Sequence, residues 1–101
     1  MKNESLKLAK QVYEIERECI EKMAEYFDED AYSKAVEMLK NAPRIGATGC
    51  GHSGIICKHF VHLMNCVDNP AKFISPAEAV HGATGFLQKG DVMVFASRGG
   101  K

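Results

Sequence analysis

Gly46-Ala-Thr-Gly-Cys-Gly-His-Ser-Gly54 reads GATGCGHSG and runs straight into IICKHFVHLM at residues 55–64. Four glycines in nine residues allow a tight turn and a close approach of backbone to a ligand. On its N-terminal side, Arg44-Ile-Gly-Ala-Thr48 is short and mostly apolar, as a buried strand is. On its C-terminal side, residues 55–65 are long enough and apolar enough for a helix. A strand, a glycine turn and a helix in that order present unpaired helix amides to an anion, so the turn is a phosphate-site candidate.

Outward from this unit, the rest of the chain supplies more of the same architecture. Residues 4–27 carry Val12, Ile15, Cys19, Met23 and Phe27 at spacings of three and four, which predicts one long helix with Asn3 as its cap. Asp28 or Asp30 can cap a second helix that runs to about Asn41, where Tyr32, Ala35, Val36 and Leu39 form the apolar stripe and Pro43 ends it. Ile56, Phe60 and Leu63 on one side and Cys57, Val61 and Met64 on another predict that the 55–65 helix is buried on two faces. Residues 71–75 read as a second strand, 76–80 as a short helical turn opened by Pro76, and 91–96 as a third strand. A loop with Gly82 and Gly85 lies between the last two, and a second glycine turn, Ser97-Arg-Gly-Gly-Lys101, comes after the third strand.

The order is therefore α, α, β, α, β, short α, β. Strands alternating with helices predict a parallel sheet with right-handed crossovers, an α/β fold. The expected organisation is a single domain over 1–101, with leading helices at 1–42 and an α/β segment at 43–101. A glycine turn after a core strand normally feeds another helix, so the segment reads as the first part of a larger sheet, truncated on its C-terminal side.

Composition narrows the function classes. The 101 residues hold 13 basic and 13 acidic side chains, for a net charge of zero, and no basic block. Nothing favours nucleic acid or an anionic membrane as partner. No run of eighteen apolar residues appears, and the N-terminus lacks an apolar signal core, so a cytoplasmic protein is expected. Cys19, Cys50, Cys57 and Cys66 form no C-x-x-C pair and read as free thiols. His59, His62 and Cys66 share one side of the predicted helix, but one helix rarely closes a tetrahedral shell, so no metal is expected.

Four ligand classes can be tested against the glycine turn. Gly49-Cys-Gly-His-Ser-Gly54 matches G-x-G-x-x-G, but the second strand ends in Ser75-Pro76 and not in the acid that a dinucleotide's ribose needs. A nucleoside triphosphate loop needs a lysine where His52 stands. A phosphatase-type thiolate at Cys50 needs an arginine about six residues on, and Ile56 is there. A sugar phosphate needs only amides and hydroxyls for its dianion. Ser53 offers a hydroxyl in the first helical turn, and Ser97 opens the second glycine turn. Both turns fall at the carboxyl ends of strands, where ligands of doubly wound sheets bind. No cofactor is required.

Several stretches then resemble the sugar isomerase (SIS) domain of the arabinose 5-phosphate isomerases. Ile15-Glu-Arg-Glu-Cys-Ile20 is similar to the family's first-helix signature, and Gly49-Cys-Gly-His-Ser-Gly54 to its G-x-G-K-S-G turn. Ser75-Pro-Ala-Glu-Ala-Val-His-Gly82 resembles H-P-x-E-A-x-H-G, the most specific match. Gly90-Asp-Val resembles the start of the family's third strand, and Ser97-Arg-Gly-Gly its S-N-S-G turn. The resemblance implies a flavodoxin-like, doubly wound three-layer sandwich with a five-stranded parallel sheet, assembled as a homo-oligomer, usually a tetramer. It implies aldose–ketose isomerisation of the arabinose 5-phosphate to ribulose 5-phosphate type through an enediol. Gly51, Ser53, Ser97 and Gly99 are then expected at the phosphate, Glu78 near the substrate, and His52 and His81 as the catalytic candidates, one of them supplying an acid or base.

Three positions depart from the family pattern. His52 replaces the lysine, and a histidine's charge near neutral pH is conditional. Gly99 replaces a serine, leaving only its amide, and Lys101 stands where the family often has an acid. The family's later carboxylate and histidine lie outside these residues, so the 101-residue chain alone is expected to bind weakly and not to turn over. The alternative is a non-catalytic sugar-phosphate sensor, as SIS domains are in some regulators. That reading wants a leading DNA-binding helix pair and a basic face, and the mixed charges of the first helix offer neither.

Overall fold

A computed structural model describes residues 2–100, so Lys101 lies outside the described residues. It contains two compact units, residues 1–34 and 35–101.

The first unit is built on helix α1 (Lys2–Glu25) and the start of α2 (Glu29–Asn41). Helix α1 already includes Asn3, so the structure corrects the expected cap. Asp28 caps α2: its Oδ1 accepts the Ala31 amide at 3.0 Å, satisfying one of the orphan donors of the first turn. Phe27 and Tyr32 pack their rings 5.1 Å apart across this corner. Along α1, Val12, Ile15 and Met23 are all at least half exposed, and the whole helix buries no residue. On its polar side Arg17 bridges Glu14 at 2.9 Å and Glu21 at 2.6 Å, the spacing at which helix side chains meet.

The second unit carries the sheet. Its strands β1 (Ile45–Thr48), β2 (Ala71–Phe73) and β3 (Val92–Phe95) are all parallel, in the order β2-β1-β3. The register pairs Ile45 with Ala71 and with Val92, and Ala47 with Phe73 and with Val94. Helix α3 (His52–Cys66) links β1 to β2 and packs on both. The short helix α4 (Pro76–Ala79) and a 3-10 turn (Ala83–Phe86) link β2 to β3. The expected parallel α/β arrangement is present, with each strand within two residues of its predicted limits. The loop expected around Gly82 and Gly85 is instead partly ordered as the 3-10 turn.

Alternation along β1 assigns the two faces. Ala47 and its register partner Phe73 point toward α3, whose Gly54 approaches the Phe73 ring and whose Lys58 ammonium lies 5.1 Å from that ring's centre. Gly46 points the other way, where an added Cβ would strike Met93 Sδ and sit 3.3 Å from Ile74 and from Leu87. A side chain at 46 would therefore force the Met93 side chain to move. The core between the layers is Ile45, Ala47, Cys57 and Ile74, each at most 2% exposed.

Helix α3 corrects one expectation. Gly54 and Cys57 are buried and Phe60, Val61 and Met64 half-buried, a single stripe at helical spacing, while Ile55, Ile56 and Leu63 are exposed. A helix lying on one sheet surface turns only one stripe inward. The apolar residues on its other side have no covering layer among the described residues. At its far end Asn65 donates to the Ala71 carbonyl and accepts the Ala71 amide, at 3.1 and 2.9 Å. The side chain thereby acts as a strand partner at the open edge of β2.

At the amino end of the sheet, Arg44 forms a clamp. Its Nη2 donates to Asp91 Oδ2 at 2.8 Å and to the Phe86 carbonyl, and its guanidinium lies 4.3 Å from the centre of the Phe86 ring. Asp91 Oδ2 also accepts the Gln88 amide at 2.7 Å.

Candidate functional site

The order β2-β1-β3 means that the chain leaves β1 toward one side and later crosses to the other. The connection through α3 covers one face and the 83–87 segment the other. A crevice must therefore open between the carboxyl ends of β1 and β3, and ligands of open α/β sheets bind in such crevices.

A cavity of about 830 Å³ lies there. That falls in the range of small-molecule sites, roughly 300–1,000 Å³. Thr48 at the end of β1, Gly49 and Cys50 of the first glycine turn, and Ser53 of α3 form one wall. Phe95, Ala96 and the second glycine turn, Ser97, Arg98 and Gly100, form another, and Pro76 and Ala79 of α4 close it. A smaller cavity of about 290 Å³ adjoins it and is lined by Gly51, Lys58 and Phe73 among others.

The first turn is built by contact between backbones. Gly54 packs so closely on the Gly49 carbonyl that an added Cβ would lie 2.5 Å from that oxygen. A Cβ on Gly49 would lie 2.9 Å from the Ser53 carbonyl carbon and 3.0 Å from the Ala96 oxygen. The Ala96 amide in turn donates to the Thr48 carbonyl at 3.0 Å, which joins the two glycine turns at their roots. Gly51 precedes α3 at φ 57°, a left-handed conformation that glycine adopts without penalty. No side chain caps α3; the Gly54 and Ile55 amides donate to the Cys50 and Gly51 carbonyls, which leaves the His52 and Ser53 amides of the first turn with their capacity to donate to an anion.

The expected site residues are distributed unevenly around this cavity. Ser53 and Ser97 line it from opposite turns, and Gly51 lines the smaller neighbour. His52 is the exposed first residue of α3, Glu78 lies in α4, and His81 lies just after α4 as an exposed residue. Gly99 sits between the lining residues Arg98 and Gly100. The three side chains of His52, Glu78 and His81 are not part of the cavity wall.

Two wall residues carry chemistry that the sequence reading does not single out. Arg98 is legible there only as one letter in a glycine turn, although a cation after a strand at a switch point is itself a signal. Thr48 reads as a strand residue. Its Oγ1 is buried without a hydrogen-bond partner among the described residues, while its carbonyl accepts from Cys57 Sγ at 3.3 Å. A buried hydroxyl left unpaired costs about 1–3 kcal/mol. Thr48→Val keeps the shape and the β-branching and removes that hydroxyl. The expected result is a stability gain of about 1 kcal/mol, read as a rise in Tm of roughly 4–8 °C by thermal unfolding. An unchanged or lower Tm means that the hydroxyl has found a partner.

Comparison with known proteins agrees with this geometry. No family model matches the chain. The chain is 33% identical over 96 residues to arabinose 5-phosphate isomerase KdsD of Francisella tularensis, covering 91% of this chain and 29% of that protein. It is 30% identical over 95 residues to arabinose 5-phosphate isomerase GutQ of Escherichia coli, covering 94% of this chain and 30% of the relative. Among solved structures, a candidate sugar-phosphate isomerase from Listeria monocytogenes superimposes with a TM-score of 0.70 at 43% identity. That match covers 73% of this chain and 39% of the other. A candidate phosphosugar isomerase involved in capsule formation from Bacteroides fragilis gives 0.60 at 28% identity, over 83% of this chain and 48% of the other. The parallel sheet and its switch-point cavity define a doubly wound α/β fold. Within that class, the chain is similar to phosphosugar isomerases of the sugar isomerase (SIS) type. It spans under a third of the length of the curated relatives it matches.

Proposed function

We propose that the protein is an aldose–ketose isomerase of phosphorylated sugars, of the arabinose 5-phosphate/ribulose 5-phosphate type. One observation carries this reading: two glycine turns and the uncapped start of α3 meet at a single cavity at the β1/β3 switch point. Hydroxyls of Ser53 and Ser97 and the amides of Gly51 and Gly99 grip the phosphate. The sugar then extends toward α4, where Glu78 contacts substrate.

Isomerisation takes a proton from C2 of the open-chain aldose and places a proton on the carbonyl oxygen, giving an enediol. Reprotonation at C1 and loss of the proton on the C2 oxygen give the ketose. His52, beside Ser53, or His81, just beyond α4, supplies one acid or base of this reading. A gripped phosphate holds the reacting carbons still for the proton transfers. No metal or redox cofactor enters these steps. The same reading expects a cytoplasmic homotetramer, with residues 1–42 as leading helices and 43–101 as the ligand-holding segment.

A second reading, a sugar-phosphate sensor without turnover, is favoured by the exposed positions of His52 and His81 outside the cavity wall. Proton NMR of arabinose 5-phosphate in D₂O with the full-length parent protein separates the two. An isomerase removes the C2 proton signal while ribulose 5-phosphate appears. Saturable binding with the C2 proton retained is the sensor's result and sinks the isomerase.

A further inference from the structure

We infer that Arg98 is the cation that meets the phosphate in the switch-point cavity, an assignment that rests on the sugar-phosphate reading above. Among the described wall residues Arg98 is the one with a formal charge, and no acid opposes it. The chain has three arginines. Arg17 is committed to Glu14 and Glu21, and Arg44 to Asp91 and the Phe86 carbonyl. Arg98 makes no ion pair or hydrogen bond among the described residues. Another cation, Lys58, lines the smaller cavity and is drawn over the Phe73 ring.

A guanidinium matches a phosphate with two parallel donors and keeps its charge at any pH the protein meets. Arg98 sits in a turn with Ser97 before it and Gly99 and Gly100 after it, and Gly100 is left-handed at φ 69°. The turn therefore offers a hydroxyl, amides and a fixed charge from three consecutive residues, across the cavity from the wall that holds Ser53. A cavity with one uncompensated positive charge selects anionic ligands over neutral sugars.

The test is calorimetric titration of the protein with arabinose 5-phosphate, inorganic phosphate and arabinose. Arg98→Gln is expected to weaken both phosphates about tenfold or more and to leave the weak binding of arabinose as it is. Arg98→Lys, which keeps the charge and loses the fork, falls between. Arg98 is exposed, so Tm should not move in either variant. Equal affinity of Arg98→Gln and the unaltered protein for both phosphates overturns the assignment and leaves the sugar-phosphate reading standing. Failure of the unaltered protein to bind any sugar phosphate overturns both.

Discussion

Gly54→Ala is expected to lower stability by about 1–3 kcal/mol and to remove measurable sugar-phosphate binding, although alanine is the better helix former. Two effects of opposite sign meet at this position. Gly54 lies inside α3, where alanine gains roughly 1 kcal/mol over glycine. Its new Cβ, however, would lie 2.5 Å from the Gly49 carbonyl oxygen and 3.2 Å from the carbonyl carbon. The obstacle is backbone, which cannot rotate away as a side chain can. Either α3 lifts off the sheet or the first glycine turn shifts, and a shifted turn moves the Ser53 amide and hydroxyl of the proposed phosphate grip. Gly85→Ala is the control, because a Cβ there meets nothing within 4 Å. It should change stability by no more than about 0.5 kcal/mol. Thermal unfolding and phosphate titration of the two variants decide the matter. A Gly54→Ala protein that is as stable as the control and still binds means that the close approach does not hold the turn.

The same position shows what a sequence reveals and what it hides. The strand–turn–helix unit is legible because its signals are local: apolar residues in a short run, glycines in the turn, then helical spacing. The parallel order of three strands derives from their alternation with helices. Ile56 and Leu63 mislead because hydrophobicity records what a residue favours, and whether a neighbouring layer covers it lies outside its own segment. Arg98 and Thr48 escape notice for a related reason. The significance of a charge or a hydroxyl depends on the space it faces, and that space is made by segments distant in the chain. Arg44 is the clearest case. It reads as the first residue of a strand, but its head group spans to Asp91, 47 residues on.

That clamp sets the second large effect, a loss of stability in acid that depends on one carboxylate. The Asp91 side chain is 3% exposed, and Arg44 is 32% exposed. The Gln88 amide first, and the Arg44 guanidinium second, hold the Asp91 carboxyl below its ordinary value, while burial pushes it up. A carboxyl whose value is depressed in the folded state stabilises the fold fully above its unfolded value, near 4, and the contribution disappears as pH falls through the folded value. The unaltered protein should therefore keep a level Tm down to about pH 5 and lose it steeply below about pH 4. Asp91→Asn removes the negative charge: its one oxygen can still accept from Arg44 Nη2 and the Gln88 amide in the place of Oδ2, but its amide nitrogen then faces Arg44 Nε, which approaches Oδ1 at 3.5 Å. Its Tm at neutral pH should be markedly lower, and the gap to the unaltered protein should narrow as both are acidified. The difference between the two curves isolates Asp91 from the other acids. Glu14→Gln provides the baseline: its partner Arg17 is 54% exposed, and such pairs are worth at most about 1 kcal/mol. Differential scanning calorimetry from about pH 2 to 7 gives all three curves. If the Asp91→Asn gap stays constant with pH, the clamp is held by packing against Phe86 and not by the carboxylate charge. A gap that closes in acid makes the charge the tie between the start of β1 and the segment leading into β3, opposite the end of the sheet that holds the cavity.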